Sequence, residues 1–356
     1  LETEGIAILV FFIVGIVASL TINKVLLRFS RSLGIRNKND VTVRWSNESK
    51  PSLGGISLFA IFIFAVMAIA VFCPHLQLFE TSSFLGLLAG SCLAFVIGIT
   101  DDAYNTRPLL KLFGQIACGA LVVYSGHTIA LFHVPAMDTV FTVIWVVVIM
   151  NSLNMLDNMD GITGTVSFFI LLLCFISFTY LYGLMNTYQT LMITAVAGAL
   201  VGFMYFNINP SKMFMGDTGS QFISFFVAFF AIELLWNYPA NFEMPSWTGL
   251  ILVLTIFTPA AVDTLSVVIN RLKKGRSPMV GGKDHTTHHL VYKGLSDFSV
   301  WVVFLAISAI SLAIALALLY FIHIEMIYSS LIGVIYFIFV FFLLYRNTLK
   351  YKDPNE

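Results

Sequence analysis

The sequence predicts an all-α integral membrane protein of about eleven spans, and three observations carry that reading. Hydrophobic residues make up 58% of the 356-residue chain and charged residues 11%, where a soluble domain carries about 25% charged residues. The apolar runs are mostly about 17–25 residues long, the length a helix needs to cross a bilayer with its backbone satisfied internally. Once eleven spans are drawn, all 19 Lys and Arg residues fall at the ends of the spans or in alternate loops. Mean hydropathy is +0.90, and the formal net charge is zero, so nothing invites nucleic acid.

The spans are read at roughly 5–27, 53–73, 84–100, 113–126, 139–153, 165–183, 189–206, 219–236, 247–269, 298–321 and 326–345. The first is expected to be a true span rather than a cleaved signal. Glu2 and Glu4 precede it, its apolar run is long, and the basic residues follow it. The second opens behind Lys50-Pro51-Ser52-Leu53-Gly54-Gly55, and the third closes on Asp101-Asp102. The fourth, interrupted by Gln115 and Gly119, is the weakest. The fifth runs into the polar stretch from Asn151 to Gly161, and the sixth starts behind Gly164. The eighth follows Phe214-Met215-Gly216-Asp217-Thr218-Gly219-Ser220. The ninth contains Pro259 and Asp263, whereas the last two are free of charge. Cys73, Cys92, Cys118 and Cys174 sit in or beside apolar runs, at spacings that fit no metal site, and read as core thiols. With no repeat or composition break, residues 1–356 read as one polytopic domain.

Basic residues crowd loops 28–52 (Arg28, Arg31, Arg36, Lys38, Arg44, Lys50) and 270–297, with others near 101–112, near 207–218 and in the tail. The intervening loops hold none. The positive-inside rule then puts the N-terminus outside and the C-terminus in the cytoplasm. Asp101-Asp102, the Asn151–Gly161 stretch, Asp217 and the His285–His289 cluster all fall on the cytoplasmic face, as one active site requires.

Carboxylates beside lipid-length apolar runs are costly and point to ion binding or chemistry. Asp101 and Asp102 stand at a helix C-terminus, where the macrodipole disfavours them. They call for a cation, with Lys111 or Arg107 as the plain alternative, and neighbouring positions point about 100° apart. Asn151, Asn154, Asp157 and Asp160 recur every third residue, and a tightened 3₁₀ turn would align all four. Such hard oxygen ligands suit Mg²⁺ or Mn²⁺. Asp217 is either the N-cap of the eighth helix or a metal ligand beside a phosphate-cradling helix N-terminus. Asp263 is a functional acid by default, or else a partner of Arg271. His285, His288 and His289 lack a fourth zinc ligand, and with Arg276 they read better as donors to a diphosphate.

Together these motifs resemble the polyprenyl-phosphate N-acetylhexosamine-1-phosphate transferase family over about residues 50 to 290. Residues 50–55 resemble its Pro-x-x-Gly-Gly motif, and Asp101-Asp102 its paired aspartates, followed by Lys111. Asn151 to Gly161 resembles Asn-x-x-Asn-x-x-Asp-x-x-Asp-Gly. Phe214 to Ser220, behind Asn207 and Pro210, resembles Phe-x-Gly-Asp-x-Gly-Ser, and Pro259, Asp263 and Arg271 resemble a broken ninth helix. The family's His-x-His-His motif is shifted. With His288 and His289 as the matched pair, Thr286 stands at the remaining histidine position and His285 is displaced by one. The chain lacks the triple histidine of the peptidoglycan branch and looks like the branch that starts O-antigen, teichoic-acid and capsule glycans.

The resemblance implies a reaction in the bacterial cytoplasmic (inner) membrane. A UDP-N-acetylhexosamine and a polyprenyl (undecaprenyl) phosphate give polyprenyl-diphospho-sugar and UMP, with Mg²⁺ as cofactor or Mn²⁺ in its place. It assigns Asp217 to the metal most directly; to this we add Asp157 as a ligand or near neighbour and Asp160 as an orienting partner. Asp101 or Asp102 would position or deprotonate the acceptor, with positioning and direct attack favoured over a covalent aspartyl intermediate. Lys50, Lys111, Asn151 and Asn154 join the substrate contacts, and Asn207 and Phe214 are candidates for uridine. A groove beside Pro259 is expected to hold the lipid tail, and a homodimer is left open. Three rival classes fit these residues less well. A CDP-alcohol phosphotransferase would continue past Asp160-Gly161 with Ala-Arg, not Ile162-Thr163. A UbiA-type prenyltransferase has no uridine site. An ion-coupled transporter would place its acids near the midplane of pseudo-symmetric halves.

Overall fold

The structure is a computed structural model that describes residues 2–30, 50–184, 187–278 and 281–352. Arg31, Arg36, Lys38 and Arg44, which carry much of the expected charge asymmetry, lie outside the described residues. All regular structure among the described residues is helical: α1 (Glu2–Ser30), α2 (Gly54–Phe72), α3 (Ser82–Tyr104), α4 (Pro108–Tyr124), α5 (Pro135–Leu156), α6 (Ile162–Tyr182), α7 (Tyr188–Asn207), α8 (Gly216–Ala231), α9 (Trp247–Ile256), α10 (Thr258–Lys273), α11 (Thr286–Tyr292), α12 (Asp297–His323) and α13 (Leu331–Lys350), with short 3₁₀ and π turns between some of them. Among the described residues, nine helical segments are long and apolar enough to cross a membrane, or ten if α9 and α10 form one bent span. The expected segments coincide with these helices and with one shorter one. The weak fourth segment is α4, a helix of 17 residues that falls short of that length.

The axis of the bundle is α8. In the segment Gly216–Phe242, 94% of the most apolar stretch is buried, against 17% in Gly5–Ser30. A helix apolar all round is one surrounded by protein, and Phe222, Phe225, Phe226, Phe229 and Phe230 fill the space between α8 and its neighbours. At the periphery, α1, α12 and α13 leave large apolar side chains exposed, as a lipid-facing surface does. The protein is thus a multi-pass membrane protein by length and composition of its helices.

Two local features shape the site. The ninth segment breaks at Phe257, and α9 and α10 meet at 86°. Pro259 lacks a backbone N–H, so it is tolerated only in the first turn of the second half. The polar stretch is also not one helix. α5 ends at Leu156, Asp157 is its C-cap, and α6 begins at Ile162 behind Gly161 at φ +78°. Asn151 and Asn154 therefore stand on a helix, and Asp157 and Asp160 on the turn that follows.

Candidate active site

One cavity of about 830 Å³ receives four of the separated polar stretches. Asp101, Asp102, Lys111, Asn151, Asn154, Asp157, Asp160, Asp217, His285 and His288 all line it, with Lys50, Asn207, Phe214 and Arg271. Two expected residues do not. Arg276 is exposed beyond its wall, and His289 turns Nδ1 to the carbonyl of Tyr351.

Backbone hydrogen bonds build the floor. Phe214 N donates to Pro51 O (3.0 Å), Gly54 N to Phe214 O (3.1 Å) and Gly55 N to Met215 O (3.0 Å). This ribbon lays the start of α2 along the start of α8. The close approach needs glycine, because a Cβ at Gly55 would meet Gly219 N at 2.1 Å. On the other flank, a Cβ at Gly98 of α3 would meet Asp217 O at 2.3 Å. The N-terminus of α8 is thus gripped by two backbones.

The paired aspartates diverge as their helical spacing requires. Asp101 accepts from Lys111 Nζ (2.8 Å), Thr106 N (2.9 Å) and Thr106 Oγ1 (2.6 Å). Asp102 Oδ2 accepts from Thr218 N (2.8 Å) and Thr218 Oγ1 (2.7 Å). The expected phosphate cradle at α8 therefore already holds a carboxylate, and the positive helix end offsets the cost of an acid at the C-terminus of α3. Asp217 is not the N-cap, a place taken by Met215. Its Oδ1 accepts from Asn154 Nδ2 (2.5 Å) and Lys111 Nζ (3.1 Å), and Lys111 also donates to Asn154 Oδ1 (3.0 Å). One ammonium, on a side chain 14% exposed, thus links acids from α3 and α8.

Asp157 stands near these acids on the same cavity. Desolvation, reinforced by the negative charges of Asp217, Asp102 and Asp160, pushes its carboxyl well above the usual carboxylate range. Crowded carboxylates of this kind favour a bound cation. Among the described residues no three His, Cys, Asp or Glu side chains form a ready-made metal cage. The carboxylates of Asp157 and Asp217 on this cavity are hard oxygen donors, the kind from which Mg²⁺ takes one or two while keeping water and substrate phosphates. Asp160 accepts from Ser211 N (3.3 Å) and Asn209 Nδ2 (3.4 Å), with Lys50 Nζ 3.9 Å away. Asn207 holds the turn in place: its Oδ1 accepts from Gly161 N (3.0 Å) and its Nδ2 donates to Met213 O (3.0 Å).

The far wall comes from α10, α11 and the loop between them. Asp263 does not pair with Arg271, the alternative read from sequence. It accepts from His285 Nδ1 (2.8 Å), while Arg271 grips Asp284 through Nε–Oδ2 (2.7 Å) and Nη2–Oδ1 (2.6 Å). Desolvation works upward on Asp284, yet the bonds and charge of Arg271 outweigh it and hold that carboxyl below its usual range. Sequence reasoning missed the supporting amides and hydroxyls. Gln115, read only as a flaw in an apolar run, accepts from Asn151 (2.7 Å) and donates to Gln221 (3.0 Å). Asn158 accepts from Thr287 Oγ1 (2.6 Å), tying the polar turn to α11. An amide inside a lipid-length run was the available signal for Gln115.

Desolvation, with the neighbouring His285 ring, pushes the His288 imidazole down from 6.5 to about 3. Between those values the unfolded chain binds a proton that the folded chain refuses, so stability falls as pH falls. Acidifying from pH 7 to pH 5 should remove about 2 kcal/mol through this group. Melting in detergent at both pH values tests it. His288→Gln should lose less than the wild type, and an equal loss would contradict the burial of a neutral ring.

The fold and the cavity define a polytopic membrane protein with an acid-lined polar site. A sequence profile of glycosyl transferase family 4 matches residues 84–235, from α3 to the π turn that ends α8. Over that stretch the chain is similar to glycosyl transferase family 4, in line with the resemblance drawn from its motifs. It is 26% identical over 315 residues to the probable undecaprenyl-phosphate N-acetylglucosaminyl 1-phosphate transferase of Bacillus subtilis, covering 86% of this chain and 83% of that one. The decaprenyl-phosphate N-acetylglucosaminephosphotransferase of Mycolicibacterium smegmatis is 26% identical over 335 residues, covering 86% and 80%. The phospho-N-acetylmuramoyl-pentapeptide-transferase of Levilactobacillus brevis is also 26% identical, over 290 residues covering 73% and 81%.

Proposed function

We propose that the protein transfers an N-acetylhexosamine-1-phosphate, N-acetylglucosamine-1-phosphate in the first instance, from a UDP-sugar to polyprenyl phosphate. The products are polyprenyl-diphospho-sugar and UMP. The observation that carries this reading is the convergence of Asp101, Asp102, Asp157 and Asp217 with Lys50, Lys111 and Arg271 on one cavity. The problem in this chemistry is to bring a phosphate dianion onto an anionic diphosphate, and the chain's own groups address it by neutralising and positioning charge. Lys111, already spanning Asp101 and Asp217, orients both acids. Asp101 and Asp102 position the acceptor head group; a phosphomonoester is mostly dianionic at pH 7, so direct attack needs no strong base. Lys50, Arg271 and His288 face the anionic substrates. Asp157 and Asp217 would hold Mg²⁺, which when bound supplies further charge neutralisation on the diphosphate.

The placement suits the substrates. A lipid tail would stay in the bilayer, beside the 86° bend of α9 and α10, while its head group meets a soluble nucleotide. The charge asymmetry of the loops supports a site on the cytoplasmic face of a bacterial cytoplasmic membrane, with the chain working as one unit. The test is UMP release by purified protein from a panel of UDP-sugars. Release should require both Mg²⁺ and polyprenyl phosphate. Release that ignores the lipid, or none from any UDP-sugar, would overturn the reading.

A further inference from the structure

We propose that Asp263 is a positioning residue for His285, and that the pair presents a proton-bearing imidazole Nε2 to a phosphate oxygen of the nucleotide-sugar. This rests on the transferase reading above. Asp263 is fully buried, and a carboxylate taken out of water is costly unless every lone pair is used. Its Oδ2 accepts from His285 Nδ1 (2.8 Å), and its Oδ1 accepts from Thr286 N (2.8 Å) and Thr286 Oγ1 (2.6 Å). Asp263 itself does not reach the cavity, but His285 does. With Nδ1 committed to Asp263, Nε2 is the ring nitrogen left for the cavity. Among the described residues it has no hydrogen-bond partner.

The arrangement accounts for the shifted histidine. Thr286, at the position where the motif resemblance calls for histidine, fills Oδ1 with its amide and hydroxyl. That turns Oδ2 toward residue 285, and His285 takes up the polar contact one position earlier. Carboxylate, imidazolium and phosphate then alternate in charge along one line of hydrogen bonds, Oδ2 to H–Nδ1 and Nε2–H to O–P, and no proton has to move.

Asp263→Asn separates this from a packing role. Thr286 keeps the amide oxygen on its side, so the amide Nδ2 faces His285 Nδ1, which must then accept. The ring becomes neutral with its proton on Nε2. kcat/KM for UDP-N-acetylglucosamine should fall about 10–100-fold, with KM for polyprenyl phosphate unchanged. Adding His285→Gln to Asp263→Asn should cost less than His285→Gln costs the wild type. Histidine-selective ¹⁵N spectra of the full chain in detergent give a readout without turnover. Nδ1 of His285 should be protonated in the wild type and bare in Asp263→Asn, and inorganic pyrophosphate with Mg²⁺ should shift Nε2 in the wild type. Wild-type kinetics in Asp263→Asn, or an Nε2 that ignores pyrophosphate, would overturn the proposal. A wild type that shows the pyrophosphate shift but releases no UMP would leave the pair standing and sink the transferase reading.

Discussion

Replacing Asp217 by Asn should leave a folded protein whose UMP release is slower by about 10²–10³-fold, and Asp157→Asn should do the same. The two acids come from different elements, the first turn of α8 and the C-cap of α5, and both face the cavity. Neither change disturbs the anchors of these elements. Asp102 still accepts from Thr218 at the start of α8, and Asn207 still holds the turn at Gly161. What goes is negative charge where a divalent ion and a diphosphate must meet. The loss should therefore appear in turnover while elution profile and melting temperature stay close to wild type. Wild-type turnover in either variant removes that residue from the site.

Gly55→Ala should be nearly as damaging by another route. Its added methyl has no room, since the neighbours at 2.1 and 2.5 Å are backbone atoms of Gly219 that cannot swing aside. Overpacking of this kind costs about 1–3 kcal/mol. If α8 yields instead, a displacement near 1 Å at Asp217 costs about 10²-fold in rate. Activity and melting temperature measured together show how the strain divides. Gly5→Ala, where the nearest atom is a Leu184 methyl at 3.5 Å, should change neither.

The helices were legible because lipid-length apolar runs admit little else, and each of the eleven expected segments coincides with a helix or helix pair. Most of the site was legible for a related reason: Asp101, Asp157 and Asp217 stand where acids are costly without a purpose. Partners were a different matter. His285 meets Asp263 across 22 residues and a helix break, and no local period encodes such a pairing, so Arg271 looked an equal choice. The three-residue spacing from Asn151 to Asp160 is compatible with a helix throughout. The chain instead turns after Leu156, and only Gly161 hinted at that. The ribbon between residues 51–55 and 214–215 joins two motifs that read separately as glycine-rich starts of spans.

The ammonium that bridges α3 and α8 has a consequence for handling the protein. A domain organised around its metal comes apart when the ion is chelated. Here the Lys111 ammonium itself ties Asp101 of α3 to Asp217 of α8, like a keystone in the arch. Treatment with EDTA should therefore silence the protein without melting it, and activity should return when the ion is restored.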